Sequence, residues 1–214
     1  SLFSDLHIPH SPSYLGTERR SACSGLTQLK LSKGIKSIGK QAFRGLPIRS
    51  IDIPEGLERI EDYAFADCSL LNDVHIPGSL TYLGKYAFSG CSGLTQITLP
   101  TGLSKLEDYV FQSCSFDSID LPQSLTSIGS GVFQNCVRLK NVILPSELKA
   151  IEGATFSGCS SLEKIDIPMG VTMIGVNAFS GCQSLKTISI PAWATISSYA
   201  FQHCANLETI TIPD

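Results

Sequence analysis

The side chains able to do chemistry in this 214-residue chain are eight cysteines, four histidines, six tyrosines and a set of carboxylates. Their spacing limits what that chemistry is. Cys23, Cys68, Cys91, Cys114, Cys136, Cys159, Cys182 and Cys204 are even in number, as a disulfide framework would require. From Cys68 onward, however, they return every 22 or 23 residues, and in one copy the same place holds Leu46. A place that accepts leucine asks for a small buried apolar group, which free cysteine supplies, so free core thiols are expected. Distance alone would permit bridges, because copies stacked about 4.8 Å apart bring α-carbons within disulfide range. No C-x₂₋₄-C pair occurs, so neither zinc nor any other metal or cofactor is expected.

Nucleophilic catalysis needs a serine or cysteine, a histidine and an orienting acid held together. His7 and His10 lie in an irregular N-terminal stretch, His203 adjoins Cys204, and His75 stands alone in a strand-like segment. An enzyme is therefore not expected. Gly90, Gly158 and Gly181 recur at equivalent turns and do not form a phosphate-binding loop.

The elements that would position these residues follow from the same periodicity. Prolines at 54, 77, 100, 122, 145, 168, 191 and 213, and phenylalanines at 43, 65, 88, 111, 133, 156, 179 and 201, are separated by 22 or 23 residues throughout. The unit reads L-x-x-I-x-I-P-x-x-L-x-x-I-[G/E]-x-x-A-F-x-x-C, as in Leu94 to Cys114. Its first part alternates apolar and polar residues, for example Leu71, Val74 and Ile76, and is predicted to be a short strand. Proline then closes the strand because it cannot donate a ladder hydrogen bond. No unit covers its own apolar positions, so neighbours must stack into one continuous core. The expected fold is a repeat solenoid: a single domain over 1–214 of about nine units, with a parallel sheet on the concave face and short turns or helical segments on the convex face.

One place alternates glycine and glutamate through Gly39, Glu61, Gly84, Glu107, Gly129, Glu152 and Gly175. Alternation keeps like charges two coils apart, and duplication of a two-repeat unit is the other explanation. In either case a place that accepts glutamate should not require positive φ.

This unit resembles the BspA-like, bacterial surface antigen type of leucine-rich repeat, from about Leu6 to the C-terminus; the run from Ile167 to Cys182 carries the wording almost verbatim. Proline stands where better-known leucine-rich repeats begin an asparagine region, so no asparagine ladder is expected. The resemblance implies an extracellular or cell-surface location, and an adhesive role toward a host or neighbouring-cell protein such as one of the extracellular matrix.

Where the repeats disagree, packing is not dictating the residue. The strand position between the last two apolar residues runs Lys30, Asp52, His75, Thr98, Asp120, Ile143, Asp166, Ser189, Thr211, and beside it stand Asp73, Gln96, Asp117 and Lys164. Period two points these side chains away from the core onto the concave face. Asp52, Asp73, His75, Gln96, Thr98, Asp117, Asp120, Lys164 and Asp166 therefore form the candidate site, a polar, mildly acidic partner-binding surface; a solvated face without a ligand is the other reading. Tyr63, Tyr86 and Tyr109 share one place in three consecutive units, suited to gripping a protein or a carbohydrate, or to packing on one another at the core margin. Trp193, in a unit one residue short, aligns with Val171, Leu148 and Leu125 and is expected in the core.

Residues 1–60 carry 9 basic and 5 acidic side chains and residues 61–214 carry 7 and 14. The basic residues are spread through the repeats without interleaved aromatics, so no nucleic-acid partner is expected. No run approaches the roughly 18 apolar residues of a membrane helix, so none of the chain is expected to insert. Residues 1–25 read as a degenerate first unit, with Arg19-Arg20 where Ala-Phe belongs. The absence of polar end caps suggests a fragment of a longer protein whose final strand packs on another chain or segment. A protein-interaction module is the leading expectation, a structural spacer its rival, and an enzyme a distant third.

Overall fold

The computed structural model describes residues 5–8, as backbone, and 25–213. Cys23, His10, Phe3 and Arg19-Arg20 lie outside the described residues, as do the side chains of His7, Leu6 and Ile8, and with them most of the first repeat. The remainder is a stack of parallel-stranded coils, about 8 turns in all.

Each coil contributes to three ladders. The first is the predicted strand row. Asp5–Ile8, Gln28–Leu31, Ser50–Asp52 and Asp73–Val74 form one parallel sheet with Leu29 opposite Ile51 and Ile51 opposite Val74. Further on, Ser118–Asp120 pairs with Asn141–Ile143, and Thr187–Ser189 with Thr209–Thr211. Burial alternates along Gln28–Leu31, Ser118–Asp120, Asn141–Ile143 and Thr187–Ser189 as the period-two pattern requires, with Ile119 and Val142 inside and their neighbours exposed, while Thr209–Thr211 is exposed throughout. The second row was not separately anticipated: two-residue strands such as Ser37–Ile38, Arg59–Ile60 and Tyr82–Leu83 pair in parallel after each proline turn.

The third side is made of turns, and no helix occurs among the described residues. Its geometry rests on two left-handed residues per coil. One row comprises Gln41, Tyr63, Tyr86, Tyr109, Gly131, Ala154, Asn177 and Tyr199, with φ between 56° and 62°. The other comprises Gly45, Asp67, Gly90, Ser113, Asn135, Gly158, Gly181 and His203. These reversals aim every second N–H at the next coil, so that Tyr63, Phe65 and Asp67 donate to the carbonyls of Lys85, Ala87 and Ser89 at 2.9, 2.8 and 2.7 Å. Satisfying the buried backbone between coils in this way offsets the cost of left-handed non-glycine residues.

Inside, the phenylalanines form one stack, from Phe43–Phe65 at 5.4 Å to Phe179–Phe201 at 5.5 Å between ring centroids. The thiols form another. Cys91, Cys114, Cys136, Cys159, Cys182 and Cys204 are free, as the Leu46 argument requires. Their role exceeds apolar filling, because each Sγ–H donates to the phenylalanine carbonyl of the preceding coil: Cys91 to Phe65 at 3.1 Å, Cys136 to Phe111 at 3.1 Å, and so on, with Cys68 reaching Phe43 at 3.0 Å. A weak donor in a dry core thus finds an acceptor in every coil.

Trp193 departs from its expected place: it is 58% exposed. Ala194 donates from its backbone to Pro191 O at 2.9 Å, just as Val171 does to Pro168 O at 3.0 Å. Counted from the proline, Ala194 therefore occupies the inward place, and the missing residue is lost after it, where Thr195 pairs with Met173. Alignment from the other side had put the gap before Trp193.

The glycine and glutamate alternation has a steric basis. Gly84, Gly129 and Gly175 lack positive φ, as expected, but a Cβ at Gly84 would lie 2.6 Å from Asp62 N and 2.7 Å from Glu61 C. At Gly175 the obstruction is again backbone, with Gly153 N at 2.6 Å. Gly84→Ala is therefore expected to lower stability by about 1–3 kcal/mol. Gly78, with nothing within 4 Å of an added Cβ, is the control. Gly78→Ala should be neutral or gain up to about 0.5 kcal/mol by restricting the unfolded chain. Urea midpoints of the two variants decide the matter, and equal midpoints would refute the steric account.

Candidate functional site

The nine predicted strand-row residues are all solvent-exposed, but they are not equivalent. Asp117 is held in a two-point ion pair by Arg138 of the following coil, with contacts of 3.0 and 3.1 Å. Lys164 and Asp166 pair with each other at 3.0 Å. Asp73, His75, Gln96, Thr98 and Asp120 come together: with Thr101 and Ser118 they supply the polar lining of an open trough of about 600 Å³, floored by Val74, Ile97, Leu99, Ile119, Leu121 and Pro122. Asp52 stands one coil away in the same sheet, and Glu55 Oε1 approaches His75 Nε2 at 4.0 Å.

The trough lies at one of two places among the described residues where the strand ladder is reduced to an isolated bridge, the other being Asp166 to Ser189. The coil through Thr95–Leu99 makes only a single parallel bridge, Thr98 to His75, and Ser118–Asp120 finds its strand partner on the other side, at Asn141–Ile143. Ile97 is half-buried where its counterparts Val74 and Ile119 are buried. Sequence reasoning found the polar residues here, because they vary between repeats. It missed Glu55 and the interruption itself, which no residue type announces.

The tyrosines form a separate feature on the turn side. Tyr63, Tyr86 and Tyr109 stack with centroids 4.7 Å apart and interplanar angles of 6° and 9°. The Arg44 guanidinium covers the outer face of Tyr63 at 5.5 Å. At the other end Tyr109 lies flat over Gly131, where an added Cβ would meet its ring at 2.1 Å. The inner faces of the ladder are therefore occupied by neighbouring rings, with Arg44 and the Gly131 backbone at its two ends, so that ring edges and hydroxyls are its main contact surface. Partial burial and the neighbouring hydroxyls raise the Tyr86 pKa, so the phenol stays neutral at physiological pH. Arg44 and Gly131 were missed in sequence, although Gly131 occupies the tyrosines' own place.

Off the strand face, charges are matched between coils. Lys36, Lys40 and Arg44 reach Glu58, Asp62 and Asp67 of the next coil, and Lys85 reaches Asp108. Three of the nine basic residues in the first 60 are thus paired with acids one coil on. Among the described residues no group of three or more His, Cys, Asp or Glu side chains is arranged to hold a metal ion, and no helix is long and apolar enough to cross a membrane.

Comparison with known proteins agrees with this architecture. The BspA type leucine rich repeat region, in 6 copies, matches residues 1–117 and 104–214. A leucine-rich repeat protein from Bacteroides ovatus is similar over 86% of this chain, at 26% identity and a TM-score of 0.64; the chain spans 63% of that protein's length. The T. pallidum leucine rich repeat protein is 29% identical over 74% of this chain and 77% of its own, with a TM-score of 0.68. A leucine rich cell surface protein from Faecalibacterium prausnitzii is 25% identical, covering 90% of this chain and 74% of its own, with a TM-score of 0.55. No curated protein matches the chain.

Proposed function

Because the chain belongs to the BspA-type leucine-rich repeat family, we propose that it is a binding module of a secreted or cell-surface protein, and that it holds a partner protein against the strand face. The observation that carries this reading is the trough at Asp73, His75, Gln96, Thr98 and Asp120, where the residues free of repeat packing converge on a break in the sheet. The similarity to a cell surface protein supports the location. The partner class is an extracellular-matrix or neighbouring-cell surface protein. The tyrosine edges extend the module's contact options on the turn side.

The test is a binding screen against immobilised matrix and mucosal proteins, repeated with two variants. Asp120→Lys combined with Asp166→Lys reverses charge on the face, while Thr98→Trp fills the trough without changing charge. Both should weaken the captured partner at least about tenfold, the loss of roughly 1.4 kcal/mol expected when a central contact is removed, with unchanged thermal midpoints. Capture that is indifferent to both variants would place the binding surface elsewhere.

A further inference from the structure

The acids that line the trough stand apart from the ion pairs of the neighbouring coils. Between residues 25 and 121, Glu58, Glu61, Asp62, Asp67, Glu107 and Asp108 off the strand face, and Asp117 on it, each have a lysine or arginine partner. Among the described residues Asp73 and Asp120 have no ion-pair partner, Asp52 has none but stands opposite Lys30 in the sheet, and Glu55 has only the histidine contact at 4.0 Å. No lysine or arginine lines the trough. With Asp73 and Asp120 in its lining and neither of those side chains beside them, the trough carries a negative field, and such a field attracts and orients cations.

The break in the ladder adds a second kind of complementarity. The coil through 96–98 joins its neighbour by one bridge, Thr98 to His75, where paired strands elsewhere run over two to four residues, and exposed backbone polar groups need partners. Gln96, Thr98 and Ser118 add donors and acceptors beside them. An extended backbone offers alternating N–H and C=O groups to such a surface, as in recognition by strand-like segments.

We propose that the occupant of the trough is an extended segment of the partner carrying lysine or arginine, its cations facing Asp52, Asp73 and Asp120. This rests on the reading that the strand face binds a partner. It narrows that partner to a basic, strand-like stretch of protein.

The probe is a short fluorescent peptide alternating threonine and lysine, with a counterpart in which glutamate replaces lysine, followed by fluorescence anisotropy. The lysine peptide should bind and the glutamate peptide should not. The triple variant Asp52→Asn, Asp73→Asn, Asp120→Asn should bind the lysine peptide about tenfold more weakly, as expected for three solvent-exposed ion pairs. Added salt should weaken the wild-type complex more than that of the variant. No binding of the lysine peptide up to about 1 mM, the weak end of measurable affinity, would overturn the inference, as would equal binding to the triple variant. If Thr98→Trp abolishes capture of a protein partner while the lysine peptide fails to bind, the basic occupant is wrong and the strand face stands. If capture ignores both Thr98→Trp and the Asp120→Lys, Asp166→Lys variant, the face itself is wrong.

Discussion

Raising the pH above 9 is expected to unfold the solenoid over a narrow range. Burial pushes the Cys136 thiol from its ordinary value of 9.0 up to about 12, and desolvation likewise raises Cys91, Cys114, Cys159 and Cys182. Below pH 9 each thiol is protonated in both folded and unfolded chains and contributes no pH dependence. Above it the unfolded chain releases protons that the folded chain retains, so stability falls as pH rises, and it continues to fall until the folded-state values are reached. Each such group contributes a slope of about 1.4 kcal/mol per pH unit, so five give about 7 kcal/mol per unit once the unfolded thiols have titrated. Set against a typical stability of about 5–15 kcal/mol, this places the transition within about two units above pH 9. Circular dichroism against pH measures the midpoint, and denaturant titrations at several pH values give the slope. Each Cys→Ala replacement at the five positions should reduce that slope by about 1.4 kcal/mol per unit, whatever it costs at neutral pH. A folded baseline that is flat to about pH 12 would show that these thiols are not the dry column described.

Phe88→Ala is expected to cost about 3–5 kcal/mol. Phe88 is fully buried, with Phe65 at 5.2 Å on one side and Phe111 at 6.1 Å on the other. Truncation removes the transfer energy of a ring, leaves a cavity and breaks both stacking contacts at once. Because each coil is stabilised only by its neighbours, loss in the middle of the stack also weakens the coupling of the two halves, and a broader transition should accompany the lower midpoint. Tyr199→Ala is the control, since Tyr199 is 64% exposed and should change stability by no more than about 0.5 kcal/mol. Equal losses from the two variants would contradict the role assigned to the phenylalanine column.

The features legible in sequence were those that every coil repeats. Phenylalanine, cysteine and proline mark the stack, the thiols and the strand ends because the same packing demand returns each 22 or 23 residues. Trp193 was misplaced because a one-residue deletion can be aligned from either side, and only the hydrogen bond from Ala194 to Pro191 fixes which side the backbone uses. The left-handed row was hidden by its diversity, since Gln41, Tyr63, Gly131, Ala154 and Asn177 share no side-chain property. Its one signal was glycine and asparagine in the same place, the residues that adopt positive φ most readily. The strand-face residues were legible by their variability. Which of them gather into a trough was not, because that depends on where the ladder breaks between Thr95–Leu99 and Ser118–Asp120 and on which acids the neighbouring coils neutralise.

Carboxylate footprinting of the chain, free and bound to a partner captured in the screen, is the most direct test of where this protein does its work. Asp52, Asp73 and Asp120 should label readily in the free chain and become protected in the complex. The inter-coil pairs Asp62 and Asp108 should label alike in both. Protection of Asp62 and Asp108, with Asp73 and Asp120 labelled unchanged, would contradict the assignment of binding to the strand face.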